Sequence, residues 1–317
     1  MSRSRFHIVA NLDQEARWLG VSIKKWLRKR VTAMSALVAA LGPTDEPITL
    51  WGLEPLEGDY VTAGPDFTLP TFAHGTPPSF DLRWADPTAH AVNDRRFAWQ
   101  LVQELGFTLP GMRVITSLAE LRAHVAAGGA AASPDGAWVC KAPWTSAGRD
   151  RLFGRDQRLP EGIERLIERA GAVMFEPWMH RELDVAVVGT VGTTIELEPP
   201  HGLVNAPNGS FHGIDLAPPR LEIAEHDQLL LVAERAGFAL QQAGYRGPFG
   251  IDAFVYGTGY DRRLHPLCEI NARYTFGHVA RALGRRLGIT RLGFDPNMPA
   301  GGRPLLVHKD RPMAWVA

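Results

Sequence analysis

The chain has 317 residues, of which 45% are hydrophobic and 21% charged, as in an ordinary globular protein. That length is too great for one small core, so we expect two or three subdomains packed together. Its 34 Lys and Arg residues balance 34 Asp and Glu residues, which argues against a nucleic-acid-binding protein because such proteins usually carry a basic surplus.

The chain also lacks the sequence signals of membrane and secreted proteins. No apolar run approaches the roughly 20 residues that span a bilayer. The N-terminus reaches a polar residue before the apolar stretch of a signal peptide could form. Two cysteines do not make a disulfide framework. We therefore expect a cytoplasmic protein with no membrane partner.

The first 90 residues are expected to form a small α/β unit. An apolar strand at Phe6 to Ala10 precedes a helical pattern that ends at Gly42. A second strand is predicted at Ile48 to Trp51, and residues 54–87, rich in Pro, Gly, Asp and Thr, are predicted to be a long connection. Three polar residues after the first strand could face a substrate: Asn11, Asp13 and Glu15.

The second region, from Asn93 to about Val188, alternates helices with strands. Asn93 or Asp94 can cap a helix that ends at Gly106, and Ser117 to Glu120 is a capping-box pattern opening the next helix. A further helix opens at Pro160. The strands predicted here are Trp138 to Ala142, Val173 to Glu176 and Asp184 to Val188, with a polar loop at Trp144 to Arg151.

The third region combines two helices with a hairpin. A helix is predicted near Asp227 to Ala243, and a last helix carries Val279, Leu283 and Leu287. The strand Gly250 to Tyr256 is followed by a turn and by a return strand at His265 to Asn271. Hairpin-paired strands mixed with helices indicate α+β subdomains behind the N-terminal α/β unit.

Strand alternation in this hairpin predicts a cation site. Glu269 and Asn271 share one face of the return strand, and Asp252 lies on the partner strand. Two carboxylates and an amide can therefore converge, and oxygen ligands of this kind suit Mg²⁺. The alternative is an edge hairpin whose polar residues face water. Arg273 falls near the same side and would suit a carboxylate or an acyl-phosphate.

The second region carries residues suited to a nucleotide. Lys141 lies on a strand next to a loop of hydroxyls and backbone N–H groups that could cover a phosphate. Glu176 to Met179 follows an apolar strand and could present backbone groups to a purine, with Glu182 near the ribose. Both features have a structural alternative: Lys141 could be a solvated strand end, and Trp178 could lie in a core beside a β-turn.

In their order and spacing, these residues resemble the ATP-grasp superfamily over roughly residues 93–287. The residues that carry the resemblance are Asn93-Asp-Arg95, Lys141, Glu176 with Glu182, and Asp252 with Glu269-x-Asn271. It implies an α/β and α+β architecture: an ATP-grasp fold behind a small N-terminal α/β (pre-ATP-grasp) domain. The implied divisions are 1–90, a nucleotide-binding lid at 91–188, and a magnesium and substrate side at 189–317 with a C-terminal tail.

The resemblance also implies a role for individual residues and implies ATP and Mg²⁺ as cofactors. The phosphates would be contacted by Arg95, Lys141, Ser146 and Gly148, adenine by Glu176, Trp178 and Met179, and ribose by Glu182. Magnesium would be held by Asp252, Glu269 and Asn271, with Arg149 and Arg273 as catalytic residues. Two departures are that Arg95 or Arg96 stands where a lysine is frequent, and that the loop after Lys141 is poor in glycine.

The function that the resemblance implies is an ATP-dependent carboxylate–amine ligase. Such an enzyme activates a carboxylate as an acyl-phosphate and joins it to an amine, so small carboxylates and amines are the expected partners. The alternatives are a small-molecule kinase of the same fold and a non-catalytic nucleotide-binding scaffold; a biotin-dependent carboxylase subunit would normally be longer. A homodimer is possible, since dimers are the commonest soluble assembly.

Other chemistries lack their sequence patterns. There is no G-x-G-x-x-G after a strand, no G-x-x-x-x-G-K-[ST] and no H-E-x-x-H. We expect His201 and His212, which flank a Gly- and Pro-rich segment, to be loop residues rather than zinc ligands. Cys140 and Cys268 each precede a proposed ligand, so alternation predicts that both turn away from the site into the core.

Overall fold

The computed structural model of the protein describes residues 5–52, 60–62, 67–77, 79–145, 150–294 and 298–317. The helices are α1 (Gln14–Trp18), α2 (Lys25–Ser35), α3 (Arg95–Glu104), α4 (Leu118–Ala126), α5 (Ile163–Ala170), α6 (Ile223–Gln242) and α7 (Phe276–Leu287). The strands are β1 (Phe6–Val9), β2 (Ile48–Trp51), β3 (Tyr60–Val61), β4 (Thr71–Ala73), β5 (Leu82–Arg83), β6 (Arg113–Ile115), β7 (Ala137–Lys141), β8 (Arg151–Arg155), β9 (Val173–Pro177), β10 (Arg181–Val191), β11 (Ile195–Leu197), β12 (His201–Asn205), β13 (Phe211–Asp215), β14 (Gly247–Tyr256), β15 (Arg263–Asn271), β16 (Arg291–Gly293), β17 (Arg303–His308) and β18 (Arg311–Val316).

The N-terminal sheet is parallel, with strand order β4-β2-β1-β5. α2 and the 3-10 helix Ala36–Leu41 supply the apolar side that the sequence predicted, and the helical path ends at Gly42. The predicted long connection over residues 54–87 is wrong in part. Strands β3, β4 and β5 fall within it, and they have only two or three residues each, too few for alternation to be seen in the sequence.

A second, antiparallel sheet has the order β6-β9-β7-β8 and is called the lid sheet below. One face packs on α4 and α5 through a cluster that includes Trp138, Cys140 and Phe175. Side chains alternate along a strand, so Lys141 and Glu176 lie on the other face. The predicted polar loop at Trp144 to Arg151 extends too far, because Arg151 already pairs with Lys141 in β8.

The third and largest sheet, called the large sheet, runs β15-β14-β10-β12-β13-β16-β18-β17-β3, with β11 paired to β10. α3 and α6 cover one face through a core that includes Val185, Ile251, Ala253 and Ile270. Because β10 spans 181–191 in this sheet, the predicted division at 188 falls inside a strand. The C-terminal tail forms β17 and β18.

No helix of the described residues is long and apolar enough to cross a membrane.

The prediction that His201 and His212 are loop residues is wrong. Both lie in strands, His201 in β12 and His212 in β13. His201 is 1% exposed, and burial lowers its pKa to about 3, so its imidazole is neutral. The Gly- and Pro-rich composition of the segment hid a hairpin in which Leu203 pairs with Ile214.

Gly154 shows how tightly the lid sheet packs. A Cβ atom added at Gly154 would lie 2.0 Å from Cζ2 of Trp138, the residue opposite it in β7. The indole cannot easily move aside because it is fully buried and its Nε1 donates to the Asp156 carbonyl at 2.9 Å. A side chain at residue 154 would therefore overpack the sheet.

We expect Gly154→Ala to lower the free energy of unfolding by about 1–3 kcal/mol, the usual cost of overpacking a core. Gly202→Ala is the matched control, since it also lies in a strand and its added Cβ would meet nothing closer than 3.5 Å. Chemical denaturation of both variants measures the difference. An unchanged unfolding free energy in Gly154→Ala would contradict the packing argument.

Candidate active site

The hairpin of β14 and β15 brings the predicted cation ligands together. In the register of the two strands, Asp252 lies opposite Glu269 and Gly250 lies opposite Asn271. Directly opposed residues share a face, so both carboxylates and the Asn271 amide project from the same side. This side of the large sheet, opposite α3 and α6, is called the site face below. The prediction that the three side chains share a face is confirmed.

The two carboxylates lie in a charged, half-buried environment. Both oxygens of Glu269 meet the guanidinium of Arg95: Nη2 donates to Oε1 at 3.0 Å, and Nη1 lies 3.0 Å from Oε2. Burial first, and then the neighbouring Glu269, raise the pKa of Asp252 to about 7, although Arg273 and Arg95 act in the opposite direction. The site therefore holds anionic charge at an energetic cost that a bound cation would remove.

The donor set fits magnesium. Two carboxylates and one amide oxygen are hard ligands of the kind that Mg²⁺ takes, with phosphate and water oxygens completing an octahedron. Asn271 Oδ1 accepts a hydrogen bond from Arg273 Nη2 at 2.7 Å and keeps a second lone pair. Within the described residues no group of three or more His, Cys, Asp or Glu side chains converges; the predicted ligands are two carboxylates and an amide.

Lys141 is not a solvated strand end. It is 7% exposed and forms an ion pair with Glu176 on the same face of the lid sheet. Burial alone would raise the pKa of Glu176, but Lys141 and then Arg95 hold it below its ordinary value. Arg95 also donates to Thr145 Oγ1 at 2.7 Å, so the start of α3, the lid sheet and the cation site converge.

The predicted base-binding segment lies between the lid sheet and the large sheet. Trp178 meets Phe153 of β8 edge to face, with ring centroids 4.8 Å apart, so its side chain is not in the core of either sheet. The Arg181 guanidinium lies 4.7 Å from the Trp178 ring and 4.2 Å from the Phe254 ring. Met179 packs with Phe254, which gives an apolar floor to this end of the region between the lid sheet and the site face, called the cleft below.

The position of Cys268 corrects the alternation argument. Cys140 is in the core as predicted, but Cys268 packs with Met179 and Phe254 on the site face. A register shift causes this: between its pairs with Asp252 and Phe254, β14 advances two residues while β15 advances four. Cys268 therefore joins Glu269 on the site face. Burial raises the pKa of its thiol to about 12, as expected for a packing residue.

Glu182 lies at the irregular start of β10, beside the same cleft. Its Oε1 is 2.5 Å from Nη1 of Arg262, which also binds Glu225 at 2.8 Å. The Glu182 side chain is 44% exposed, so its second oxygen remains accessible. The ribose role of Glu182 stays a prediction.

Arg273 is more buried than the sequence suggested. It is 8% exposed, and each guanidinium nitrogen has a partner. Nε binds the carboxylate of Glu15, Nη1 donates to the Tyr274 carbonyl at 3.0 Å, and Nη2 donates to Asn271. Each Nη nitrogen keeps a second N–H, so the predicted contact with a reacting carboxylate stays a prediction.

The phosphate-covering loop falls partly outside the described residues. Ser146, Gly148 and Arg149 lie there, so their predicted roles stay predictions. At the end of this loop, Arg151 donates to the carbonyls of Asn208 at 2.7 Å and Gly209 at 3.3 Å. The lid sheet thus contacts the turn between β12 and β13.

Sequence reasoning missed several residues of this site. Asp184 lies opposite Phe254 on the site face and binds Arg181 at 2.8 Å. Alternation places Asp184 and Ala186 on one face but does not say which face, so only the register with β14 reveals it. Glu15 was a candidate for contact with substrate, but no local signal paired it with Arg273.

The similarity of this chain to known proteins lies in its fold. No protein-family model matches the sequence, and no curated protein matches it. Solved structures do match. N5-carboxyaminoimidazole synthetase from Staphylococcus aureus, in complex with ADP, has a TM-score of 0.51 at 11% identity, covering 86% of this chain and 71% of that one.

Two further neighbours have comparable similarity. Biotin carboxylase from Campylobacter jejuni, as a beta-gamma-ATP complex, has a TM-score of 0.52 at 12% identity and covers 89% of this chain and 68% of that one. Phosphoribosylamine–glycine ligase from Thermotoga maritima has a TM-score of 0.50 at 14% identity, covering 87% and 70%. These neighbours are ATP-grasp proteins. The chain therefore has the ATP-grasp fold, and the predicted fold class is confirmed.

The ion pair of Lys141 and Glu176 allows a direct test of the lid. Lys141→Met leaves Glu176 buried without its partner, so we expect a loss of about 3–5 kcal/mol in unfolding free energy. The double variant Lys141→Met/Glu176→Leu removes both charges and should recover most of that loss. Denaturation curves of the two variants measure this, and equal losses in both would contradict a buried, mutually dependent pair.

Proposed function

We propose that the protein is an ATP-dependent ligase that activates a substrate carboxylate and joins it to an amine. The observation that carries the proposal is the convergence of Asp252, Glu269 and Asn271 with the buried cations Arg95 and Lys141. Hard oxygen ligands beside cations from a second sheet suit a magnesium–triphosphate group. The ATP-grasp fold is the support for ATP as the nucleotide. The substrate classes, a carboxylate and an amine, are inferred from the resemblance to the ATP-grasp superfamily.

In the proposed complex, this chain's residues bind and orient the reacting groups. Lys141 and Arg95 would contact phosphate oxygens, and the apolar floor of Met179 and Phe254 would receive the base. Asp252, Glu269 and Asn271 would hold Mg²⁺, which when bound would offset negative charge on the phosphoryl oxygens.

The proposed reaction has two steps. A substrate carboxylate oxygen attacks the γ-phosphorus in line, the bond to the ADP oxygen breaks, and an acyl-phosphate forms. An amine then attacks the acyl carbon, the amine proton is lost and inorganic phosphate leaves, which gives an amide. The protein contributes positioning and electrostatic stabilisation. Arg273 and Arg149 would contact the reacting carboxylate or phosphoryl group.

The first test measures ADP formation with panels of carboxylates and amines. We expect Mg²⁺-dependent ADP release that requires a carboxylate, and hydroxylamine should trap the acyl-phosphate as a hydroxamate. ADP release that requires only an alcohol would instead show a kinase. Nucleotide binding by calorimetry without ADP release under any of these conditions would show a non-catalytic scaffold, and no nucleotide binding at all would contradict the proposal.

The cation ligands can be tested in the same assay. Asp252→Asn and Glu269→Gln should lower kcat by at least about tenfold, because each removes a charge from the ligand set. Asp215→Asn is the control: it lies at the end of β13 and pairs with Arg291 at 3.4 Å, so we expect unchanged activity. Full turnover in Glu269→Gln would show that the metal assignment is wrong.

The proposed ribose contact predicts a substrate-selective defect. Glu182→Gln should raise KM for ATP by about tenfold, the loss of one charged hydrogen bond, and should leave KM for 2′,3′-dideoxy-ATP almost unchanged. Glu222→Gln is the control, since Glu222 is exposed and only 4.0 Å from the same Arg262. Equal effects on both nucleotides would mean that Glu182 does not contact the ribose hydroxyls.

A further inference from the structure

The chain segment that follows the cation ligands is held from several directions. Asn93 brackets Ala272: its Oδ1 accepts from the Ala272 N–H at 2.9 Å, and its Nδ2 lies 3.3 Å from the Ala272 carbonyl. The Tyr274 N–H donates to the carbonyl of Trp84 at 3.0 Å. Trp84 follows β5 of the N-terminal sheet, so this sheet contacts the segment directly after Asn271.

Glu15 makes the charged contact between the same two parts of the molecule. It lies in α1, directly after the first strand of the N-terminal sheet, and is 4% exposed. Its carboxylate forms an ion pair with Nε of Arg273, 258 residues later in the chain. Burying an ionised carboxylate to this extent costs free energy unless it has a charged partner. The ion pair with Arg273 offsets that cost.

Arg273 passes this contact on to the proposed cation site. The guanidinium is planar and rigid, so fixing Nε also fixes the direction of Nη2. Nη2 donates to Asn271 Oδ1 at 2.7 Å, the amide oxygen that the proposed site would use. Glu15, Arg273 and Asn271 thus form a continuous chain of contacts from the N-terminal unit to the cation ligands.

Residues that orient a metal ligand without touching the metal commonly change metal affinity about 10–100-fold when they are removed. The side-chain amide of Asn271 could turn either its oxygen or its nitrogen toward the cation. The hydrogen bond from Arg273 Nη2 is accepted by the oxygen and so determines which way the oxygen points. Loss of Glu15 would leave the buried Arg273 Nε unpaired. It would also remove one of the three contacts that hold the guanidinium, the others being with Tyr274 and Asn271, so its orientation toward Asn271 would be less restrained.

We infer that Glu15 is a positioning residue that holds Arg273 and thereby orients Asn271 for the divalent cation. The inference rests on the cation site of the proposed function and does not depend on which carboxylate or amine the enzyme uses. It gives Glu15, which the sequence indicated only as a candidate for contact with substrate, a role at the cation site. It also explains the close contact of that unit with the segment after β15.

The test is Mn²⁺ binding in the presence of ADP, followed by calorimetry or electron paramagnetic resonance. Mn²⁺ prefers the same oxygen ligands as Mg²⁺, and no turnover is required. We expect Glu15→Ala to weaken Mn²⁺ binding by about tenfold. Glu15→Gln should lose less, because the Gln carbonyl oxygen can still accept from Arg273 Nε.

A double-mutant cycle shows whether Glu15 acts through Arg273. In an Arg273→Met background, Glu15→Ala should cause no further loss of Mn²⁺ affinity. Arg17→Gln is the matched control: it breaks the ion pair with Asp13, the residue before the same helix, at 2.8 Å. It does not touch Arg273 and should bind Mn²⁺ like the wild type. Melting temperatures of all variants separate this effect from a loss of stability.

Three results would overturn the inference: wild-type Mn²⁺ affinity in Glu15→Ala, equal losses in the Gln and Ala variants, or additive losses in the double variant. Failure of the proposed ligase reaction would look different. In that case the wild type would bind Mn²⁺ and ADP, and the Glu15 variants would still weaken that binding, but no carboxylate would be activated.

Discussion

The repulsion between two neighbouring, half-buried carboxylates is the constraint on which the candidate site depends. Asp252 and Glu269 are opposite neighbours in one hairpin, and their proximity is tolerated because cations from other elements surround them. Arg95 from the start of α3 forms an ion pair with Glu269. The charge of Arg273 favours the ionised form of Asp252 and so acts against the rise of its pKa. No ion pair to Asp252 is found among the described residues, which leaves this carboxylate for a cation.

Ion pairs also stabilise acidic residues elsewhere along the cleft. Three acidic residues that the sequence singled out have a cation partner on another element: Glu176 has Lys141, Glu182 has Arg262 and Glu15 has Arg273. Two sets of contacts join separate units: Glu15 with Arg273 joins the N-terminal unit to the segment after β15, and Arg95 contacts both Glu269 of the large sheet and Thr145 after the lid strand β7. In the proposed complex, a phosphate that contacts Lys141 would take the place of Glu176 as its partner, whereas Asp252 would meet the cation without giving up an ion pair.

Local features were predicted well because their causes lie within a few residues. Asp94 accepts from the Arg96 N–H at 2.8 Å and Ser117 from the Glu120 N–H at 3.1 Å, as helix caps should. Alternation correctly placed Glu269 and Asn271 on one face. It failed at Cys268 because a register shift in β15 changes the face after only a few residues, and such a shift leaves no mark in the sequence.

The sequence by itself determined the residue types of the site, the hairpin that presents Asp252 with Glu269, and the resemblance that led to the ATP-grasp fold. These depend on short periodicities and on spacing along the chain. Only the tertiary structure decided which cation meets which carboxylate and which face of β10 carries Asp184. The pairing of Glu15 with Arg273 spans 258 residues. Ion pairing depends on distance in space, and the packing of separate sheets sets that distance.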